Sequence, residues 1–452
     1  MLFNGYDIAI SFAMQQFQCN CVHIFVEKGE EKEFAFDFHS TLATETVKCP
    51  YCGGSVHICG HYSTELRDVP LYPGTRQSAA VSFHRYRCQN CGKSFSEDIC
   101  MKHPGTRITE RAANWIRTLL LHHLSISAVQ QITGIHWDTI RQIHSEIMEI
   151  ELEKRRVELK NAGYKPKYLA VDEFAIHKGH TYATCVMDLE LGDVLWVGHG
   201  RSMDAFMNFF REFDLEYLSD VKAVAMDMNA SYNRLVESYL PQAEIVYDRY
   251  HMQAQYGKDV LGAVRLAEAK THKTRAEEMQ TSADKSKDPA ERKALREEAR
   301  KEKQQYTELK RARWTLLTNG NRLHLEGAAS LKQILDAHND LAICYAMKEE
   351  LCDLFELRDP VEAERRWKSW FEGAKASGIE PLVKFARLKE KRLKGLVAHA
   401  AHPISTGKLE GLNNKIKVCK RIGYGYRNDN YFFTLVRYIS LPSSKLKSPN
   451  FP

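Results

Sequence analysis

Apolar residues along this chain change their spacing from segment to segment, and each change predicts a different kind of element. Residues 1 to about 45 are loosely patterned, with one strand-like stretch from Glu33 to Phe38. Ala79 to Arg87 alternates as a half-buried strand does. From 108 to 150 the spacing turns helical. Ala112, Trp115, Ile116, Leu119 and Leu120 mark a first helix from about Thr109 to His123. Ser125 or Ser127 can cap a short second helix, Ala128 to Thr133, which stops at Gly134. A third begins near Trp137 with Ile140, Ile143, Ile147 and Ile150 on its buried face, and Asn161-Ala162-Gly163 ends it.

The period then shortens to that of strands. Tyr168 to Asp172 is a short apolar run, and Thr181 to Leu189 with Val194 to Gly198 reads as a hairpin. Met203 to Phe213 is an amphipathic helix, Val221 to Met226 a strand, Ser231 to Tyr239 a helix and Glu244 to Tyr247 a strand. Three strands, helix, strand, helix, strand is the ribonuclease-H-like order, a mixed sheet covered by helices. Residues 255 to 400 are almost wholly helical. Thr271 to Gln305 is dense in Lys, Arg and Glu, which predicts a solvated arm turning at Asp288-Pro289; its charge signs alternate, as on a solvated face. From Leu316 to Leu354 apolar residues return as a packed all-α insertion, and it delays the last core helix to about Lys408.

Composition narrows the class. At 452 residues the chain is too long for one core. No apolar stretch approaches the ~18 to 20 residues of a membrane span, and no secretory leader is evident at the start. Twelve cysteines in a large chain without such a leader predict reduced thiols and metal binding in a cytosol. The formal charge of +6 is modest, yet seven basic residues (Lys408, Lys415, Lys417, Lys420, Arg421, Arg427, Arg437) face only Glu410 and Asp429 in one late segment. With Tyr424, Tyr426, Tyr431 and Phe432 interleaved, that surplus suits a polyanion.

Candidate chemistry lies in three places. Cys49-Pro50-Tyr51-Cys52-Gly53 and Cys88-Gln89-Asn90-Cys91-Gly92 are paired CxxC knuckles; two intervening residues let both thiolates face one ion, and glycine accepts the turn. They predict a zinc ribbon, although the 35 residues between knuckles exceed the usual spacing and Cys59 and Cys100 stand nearby as substitutes. The three helices fit a helix-turn-helix presenting Thr139, Arg141 and Gln142 to a DNA groove, and an ordinary three-helix bundle nearly as well; the neighbouring ribbon and nuclease-like core favour the first. Finally, Asp172 and Asp227 each end an apolar run, and Glu410 heads the basic segment. Strand-end aspartates collect at a sheet rim, and three hard oxygen ligands suit Mg²⁺ or Mn²⁺ in a two-metal phosphoryl-transfer site. Glu173, Asp188, Asp248 and His251 compete for those roles.

Several long motifs occur in order: Val171-Asp172-Glu173-Phe174-Ala175-Ile176-His177 onward, Asp248-Arg249-Tyr250-His251, and Gly407-Lys408-Leu409-Glu410-Gly411-Leu412-Asn413-Asn414-Lys415-Ile416-Lys417 with Arg421 and Gly423 to Arg427. In these the chain resembles the ISL3 family of insertion-sequence transposases, from the ribbon to about Tyr438. The resemblance implies a DDE transposase with catalytic Asp172, Asp227 and Glu410. Of the three, Asp227 has the least distinctive surroundings. The resemblance also implies that ribbon and helix-turn-helix recognise terminal inverted repeats, and that target DNA is a second partner. Asn413, Asn414, Lys415, Lys417, Arg421 and Arg427 are then expected near phosphates.

The expected architecture is multidomain α+β. It comprises a leader (1–45), a zinc ribbon (46–100) and a helix-turn-helix domain (105–162). A ribonuclease-H-like mixed α/β catalytic core (165–255 and 400–440) follows, interrupted by an all-α insertion (256–399). Structural Zn²⁺, catalytic Mg²⁺ or Mn²⁺, a homodimer or larger synaptic complex, no membrane, and a bacterial cytoplasmic location at the nucleoid complete the expectation. The competing readings are a domesticated DNA-binding regulator and a nuclease of the same fold without strand transfer.

Overall fold

The computed structural model describes residues 17–27, 30–70, 75–122, 124–177, 179, 181–423 and 425–442. It is a mixed α+β chain with two five-stranded sheets and many helices. Two compact units divide it: Met1–Ala162 with Val418–Pro452, and Gly163–Lys417.

The first unit holds β1 (Phe17–Glu27), β2 (Glu30–Ser40), β3 (Val56–Asp68), β4 (Arg76–Cys88) and β5 (Ser94–Ser96). The sheet runs β1-β2-β4-β3, with β5 on β4. Residues 17–40, read from the sequence as part of a leader with one strand, thus supply two strands. The reason is visible in β2: Phe34, Phe36 and Phe38 alternate onto a core completed by Leu66, Ala79, Val81 and Met101. Met1 to Gln16 of that leader lie outside the described residues.

Three helices follow: α1 (Glu110–Leu121), α2 (Ile126–Thr133) and α3 (Trp137–Asn161). Thr109 caps α1 through Ala112 N, Ser125 caps α2 through Ala128 N, and Gly134 ends α2 at φ 67°. Buried Asp68 ties sheet to helices, accepting from Gln77 Nε2 at 2.8 Å, Thr109 Oγ1 at 2.5 Å and the Arg111 guanidinium. Ile150, expected inside, is 48% exposed. The 25-residue α3 outruns the 12 and 8 residues of its partners, and its buried face stops at Met148.

In the second unit a sheet of β6 (Tyr168–His177), β7 (Thr181–Asp188), β8 (Val194–His199), β9 (Ala223–Met226) and β10 (Glu244–Tyr247) has the order β10-β9-β6-β7-β8. β10, β9 and β6 run parallel; β7 and β8 are antiparallel. α4 (Met203–Glu212) and α5 (Ala230–Tyr239) cover one face, where Phe206, Phe209, Tyr232 and Val236 meet Leu169, Val171, Val224 and Met226.

After α6 (Arg249–Tyr256) and a π-helical stretch, Gly257–Gly262, come α7 (Ala263–Lys285) and α8 (Pro289–Arg311), a hairpin whose second helix is capped by Asp288. α9 (Arg313–Leu317), α10 (Leu325–Ala337), α11 (Asn339–Leu354), α12 (Pro360–Ala376) and α13 (Glu380–Glu390) build a core around Trp367, Trp370, Phe371 and Tyr256. α14 (Leu393–Ala401) returns to the sheet beside β10. It does so at Gly395, where an added Cβ would lie 2.4 Å from the Tyr247 ring.

α15 (Gly407–Ile422) follows, and the division between units falls within it. The last helix, α16 (Asp429–Ser440), groups with the first unit rather than with the sheet that 400–440 was expected to join. Its buried Phe432, Phe433, Leu435 and Val436 explain this: α16 packs on α3, where His144 Nδ1 lies 2.6 Å from Tyr431 Oη.

Candidate functional site

Parallel pairing brings the two candidate aspartates to one level. β6 meets β9 with Tyr168 opposite Ala223 and Ala170 opposite Ala225, and the same offset of 55 sets Asp172 opposite Asp227. β10 meets β9 with Glu244 opposite Ala223, and that offset of 21 sets Asp248 opposite Asp227. Carried past the last pairs, Ala170 with Ala225 and Tyr247 with Met226, the two offsets bring the three aspartates to one level, just beyond the carboxyl ends of β9 and β10. Strand alternation gives them the face of Tyr168, Ala223 and Val246, which pack with Ala398 of α14 and Ile404. Contrary to the expectation from its apolar run, Asp172 does not end its strand, because β6 continues to His177 along antiparallel β7 and buries Phe174 and Ile176. Asp172 instead marks the level at which β9 stops.

Asp172, Asp227 and Glu410 are half-buried. Asp172 Oδ1 accepts from Glu173 N at 2.7 Å and Oδ2 from Asn413 Nδ2 at 3.0 Å, so Asn413, expected near phosphates, binds the aspartate instead. Asp227 Oδ1 accepts from Met228 N at 2.6 Å, and its Oδ2 lies 4.0 Å from His251 Nδ1. Desolvation pushes the Asp172 carboxyl above the usual range and Asp248 adds to the rise, while the Glu173 amide, His251 and Asn413 oppose it. Glu410, on the first turn of α15, is raised by desolvation and by the charges of Asp248 and Asp172, with His251 opposing. Such a concentration of negative charge out of water is what a bound cation relieves. The donors are all oxygen, the kind Mg²⁺ or Mn²⁺ takes, but the carboxylate oxygens of Asp172, Asp227 and Glu410 do not gather within 4.8 Å of one another, a spacing that among the described residues the four cysteines meet.

The competing acids take other places. Glu173 turns to the opposite face, beside Tyr232 of α5, and desolvation raises its pKa. Asp188 is buried and forms the turn after β7, accepting from Glu190 N at 2.8 Å, Leu191 N at 3.2 Å and Tyr164 Oη at 2.7 Å. Asp248 is buried against Thr406. Lys389, which no motif singled out, donates to Gln255 and contacts Met228 Sδ at 3.1 Å; burial lowers its pKa, and the charge of Asp227 opposes that.

The four knuckle cysteines converge: among the described residues, they are the group of three or more His, Cys, Asp or Glu whose ligand atoms lie within 4.8 Å of one another. Cys49 and Cys91 sulfurs are 3.7 Å apart, Cys52 and Cys88 sulfurs 3.5 Å. Tetrahedral zinc with Zn–S near 2.3 Å requires about 3.8 Å. The 35-residue interval is taken up by the long β3–β4 hairpin, which sets Val56 opposite Cys88. Gly53 and Gly92 adopt φ 71° and 70°. The amides of Cys91 and Asn90 lower the Cys88 thiol to about 6. Against the Gly54 amide, crowding by Cys88 and Cys91 pushes Cys52 up to about 12. One cation serving all four thiolates removes that conflict. Cys59 and Cys100 are exposed and outside the cluster.

Of the remaining candidates, Gln142, Asn414, Lys415, Lys417, Arg421 and Arg427 are exposed, and Thr139, Arg141 and Asn413 half-buried. Arg141 lies over the Trp137 ring at 5.5 Å, and Gln142 donates to Glu146 at 3.1 Å. Tyr424 lies outside the described residues.

A transposase family model of the ISL3 group matches residues 169–436, more than half of the chain. The chain belongs to the ISL3 transposase family. Within curated relatives, this ISL3-family chain is 31% identical over 415 residues to the transposase for insertion sequence element IS1001 of Bordetella parapertussis, across 91% of this chain and 93% of that one. It is 26% identical over 315 residues to the transposase for insertion sequence element IS1557 of Mycobacterium tuberculosis, across 69% of this chain and 67% of that one. The ISL3 match spans β6, β9 and the first turn of α15, and so includes Asp172, Asp227 and Glu410. Among the described residues, no helix is long and apolar enough to cross a membrane.

Proposed function

We propose that this chain is the DNA transposase of an insertion sequence, which binds terminal inverted repeats and catalyses metal-dependent strand cleavage and joining to target DNA. The observation that carries the reading is the common level of Asp172 and Asp227, with Glu410 coupled electrostatically to Asp172. The sheet order, with three antiparallel strands followed by two parallel ones that each succeed a helix, supports a ribonuclease-H-like core.

On this reading Asp172, Asp227 and Glu410 hold Mg²⁺ or Mn²⁺. Two such ions supply an activated water or DNA 3′-hydroxyl and a stabilised leaving oxygen. The chain's part is to hold its charges in place: Asn413 and the Glu173 amide fix both Asp172 oxygens. Exposed Asn414, Lys415 and Lys417 follow Glu410 on α15 and suit phosphate contacts, as do Arg421 and Arg427 farther along. Gly134 and the polar start of α3 (Thr139, Arg141, Gln142) support a helix-turn-helix that enters a groove. The four cysteines hold structural zinc in a ribbon beside it. Two element ends must meet, so a dimer or larger assembly forms on DNA.

The test is to incubate the full chain with Mg²⁺ and a labelled duplex of the DNA flanking this reading frame. Cleaved and joined products are expected, with both lost in Asp227→Ala and Asp172→Asn. Wild-type activity in Asp227→Ala would overturn the site, and cleavage without joining would reduce the function to a nuclease.

A further inference from the structure

Asp248 departs from what its position prescribes. It stands at the N-cap of α6, where an aspartate ordinarily accepts from its own helix, yet it makes no side-chain cap bond there. The carboxylate turns instead across a 158-residue separation: Oδ2 accepts from Thr406 Oγ1 at 2.6 Å, and Oδ1 lies 3.5 Å from Thr406 N. Both residues are almost fully buried, at 2% and 1% exposure. Asp248 is itself held by the sheet, since its amide donates to Met226 O at 3.1 Å and extends the β9–β10 ladder by one step. Thr406 in turn begins the last helix of this unit, because its carbonyl accepts from Glu410 N at 3.0 Å.

We infer that Asp248 and Thr406 form a latch that fastens the first turn of α15 to the end of β10 and so fixes where Glu410 stands. The inference rests on the reading of Glu410 as a catalytic acid; Asp248 is its positioning residue. A buried carboxylate beside two other acids is costly unless its hydrogen bonds repay it, and here they join the sheet to the helix carrying Glu410. The chain between them passes through the whole helical segment from α6 to α14, too long a path to fix a side chain by continuity. A direct link from β10 to Thr406 makes Glu410's place independent of that path.

The test uses the full chain, Mg²⁺ and the same flanking duplex, with Asp248→Asn, Thr406→Val, Thr406→Ser and the double variant Asp248→Asn/Thr406→Val. Loss of a hydrogen bond to a charged group predicts a fall in kcat of about 10- to 100-fold for Thr406→Val, with KM for DNA unchanged. The double variant is expected to lose no more than the worse single one, and Thr406→Ser to restore the rate. Amide exchange across residues 407–411 should quicken in parallel. Unchanged exchange in both Asp248→Asn and Thr406→Val would overturn the latch. So would an Mg²⁺ requirement shifted by Asp248→Asn with Thr406→Val inert, since Asp248 would then be a ligand. Glu410→Gln reports separately: wild-type cleavage would overturn the role of Glu410, whereas exchange at 407–411 still reads the latch itself.

Discussion

On the proposed reading of the cysteine cluster as a zinc site, removing the ion should melt one end of the first sheet and leave the other folded. The knuckle end has a small core: Val56 and Tyr86 are its large buried side chains, with Cys49 and Cys88 beside them. Burying two such side chains stabilises by about 3 to 6 kcal/mol. Ordering residues 48–55 and 88–94 costs about 1 to 2 kcal/mol each, which exceeds that contribution several-fold. A structural zinc, at an apparent value of about 10 to 16 kcal/mol, offsets most of the difference. The far end of β3 and β4 has its own core of Phe34, Phe36, Phe38, Leu66 and Val81, and the Asp68 network. A bulge between Ile58 and Gly60 separates the two ends. Chelation, or Cys88→Ser, is therefore expected to abolish hydrogen-exchange protection at 47–58 and 84–96 while 62–68 and 76–82 stay protected. Native mass spectrometry should show the loss of one divalent ion per chain. Protected knuckles after the ion is gone, or exchange spreading through Leu66 and Val81, would refute the reasoning.

Other outcomes follow from single features. Gly395→Ala sets a methyl 2.4 Å from the Tyr247 ring and 3.1 Å from Ile245 O, so denaturant unfolding should show a loss of about 1 to 3 kcal/mol. His144 and His399 are both lowered to about 4, chiefly by desolvation. The unfolded chain, titrating near 6.5, takes up protons first, so stability is complete above pH 6.5 and falls by about 1.4 kcal/mol per pH unit for each group down to about 4. A thermal midpoint unchanged between pH 7 and 5 would contradict this. Lys415→Ala and Lys417→Ala should each reduce the slope of log affinity for DNA against log salt by about 0.9, measured by fluorescence anisotropy.

What the sequence made legible follows from the range of the forces involved. Local signals carried well: the helix start near Thr109, Ser125 as one of two cap candidates, the stop at Gly134, the arm turning at Asp288-Pro289 and the CxxC knuckles all depend on near neighbours. The apolar runs also marked the core strands, but polarity at Asp172 and Glu173 hid the continuation of β6, although Phe174 and Ile176 already alternated. Family membership, also read from motifs, is shown by the match over 169–436. Partners distant in the chain left no trace. Asn413 on Asp172, Thr406 on Asp248 and Lys389 beside Met228 are separated by 241, 158 and 161 positions. Ile150 misled for a related reason, because apolarity predicts burial only where a partner reaches, and among the described residues α3 has no buried position beyond Met148.

The row of aspartates also governs how this chain can tolerate changes in length. Neighbouring strands lie about 4.8 Å apart whatever the loops between them do. Codons gained or lost in the turn between α7 and α8 therefore leave the row untouched. A single codon lost inside four-residue β9 or β10 would turn every following side chain to the opposite face. Length variation is thus cheap across more than a hundred residues of helix and ruinous in eight residues of strand.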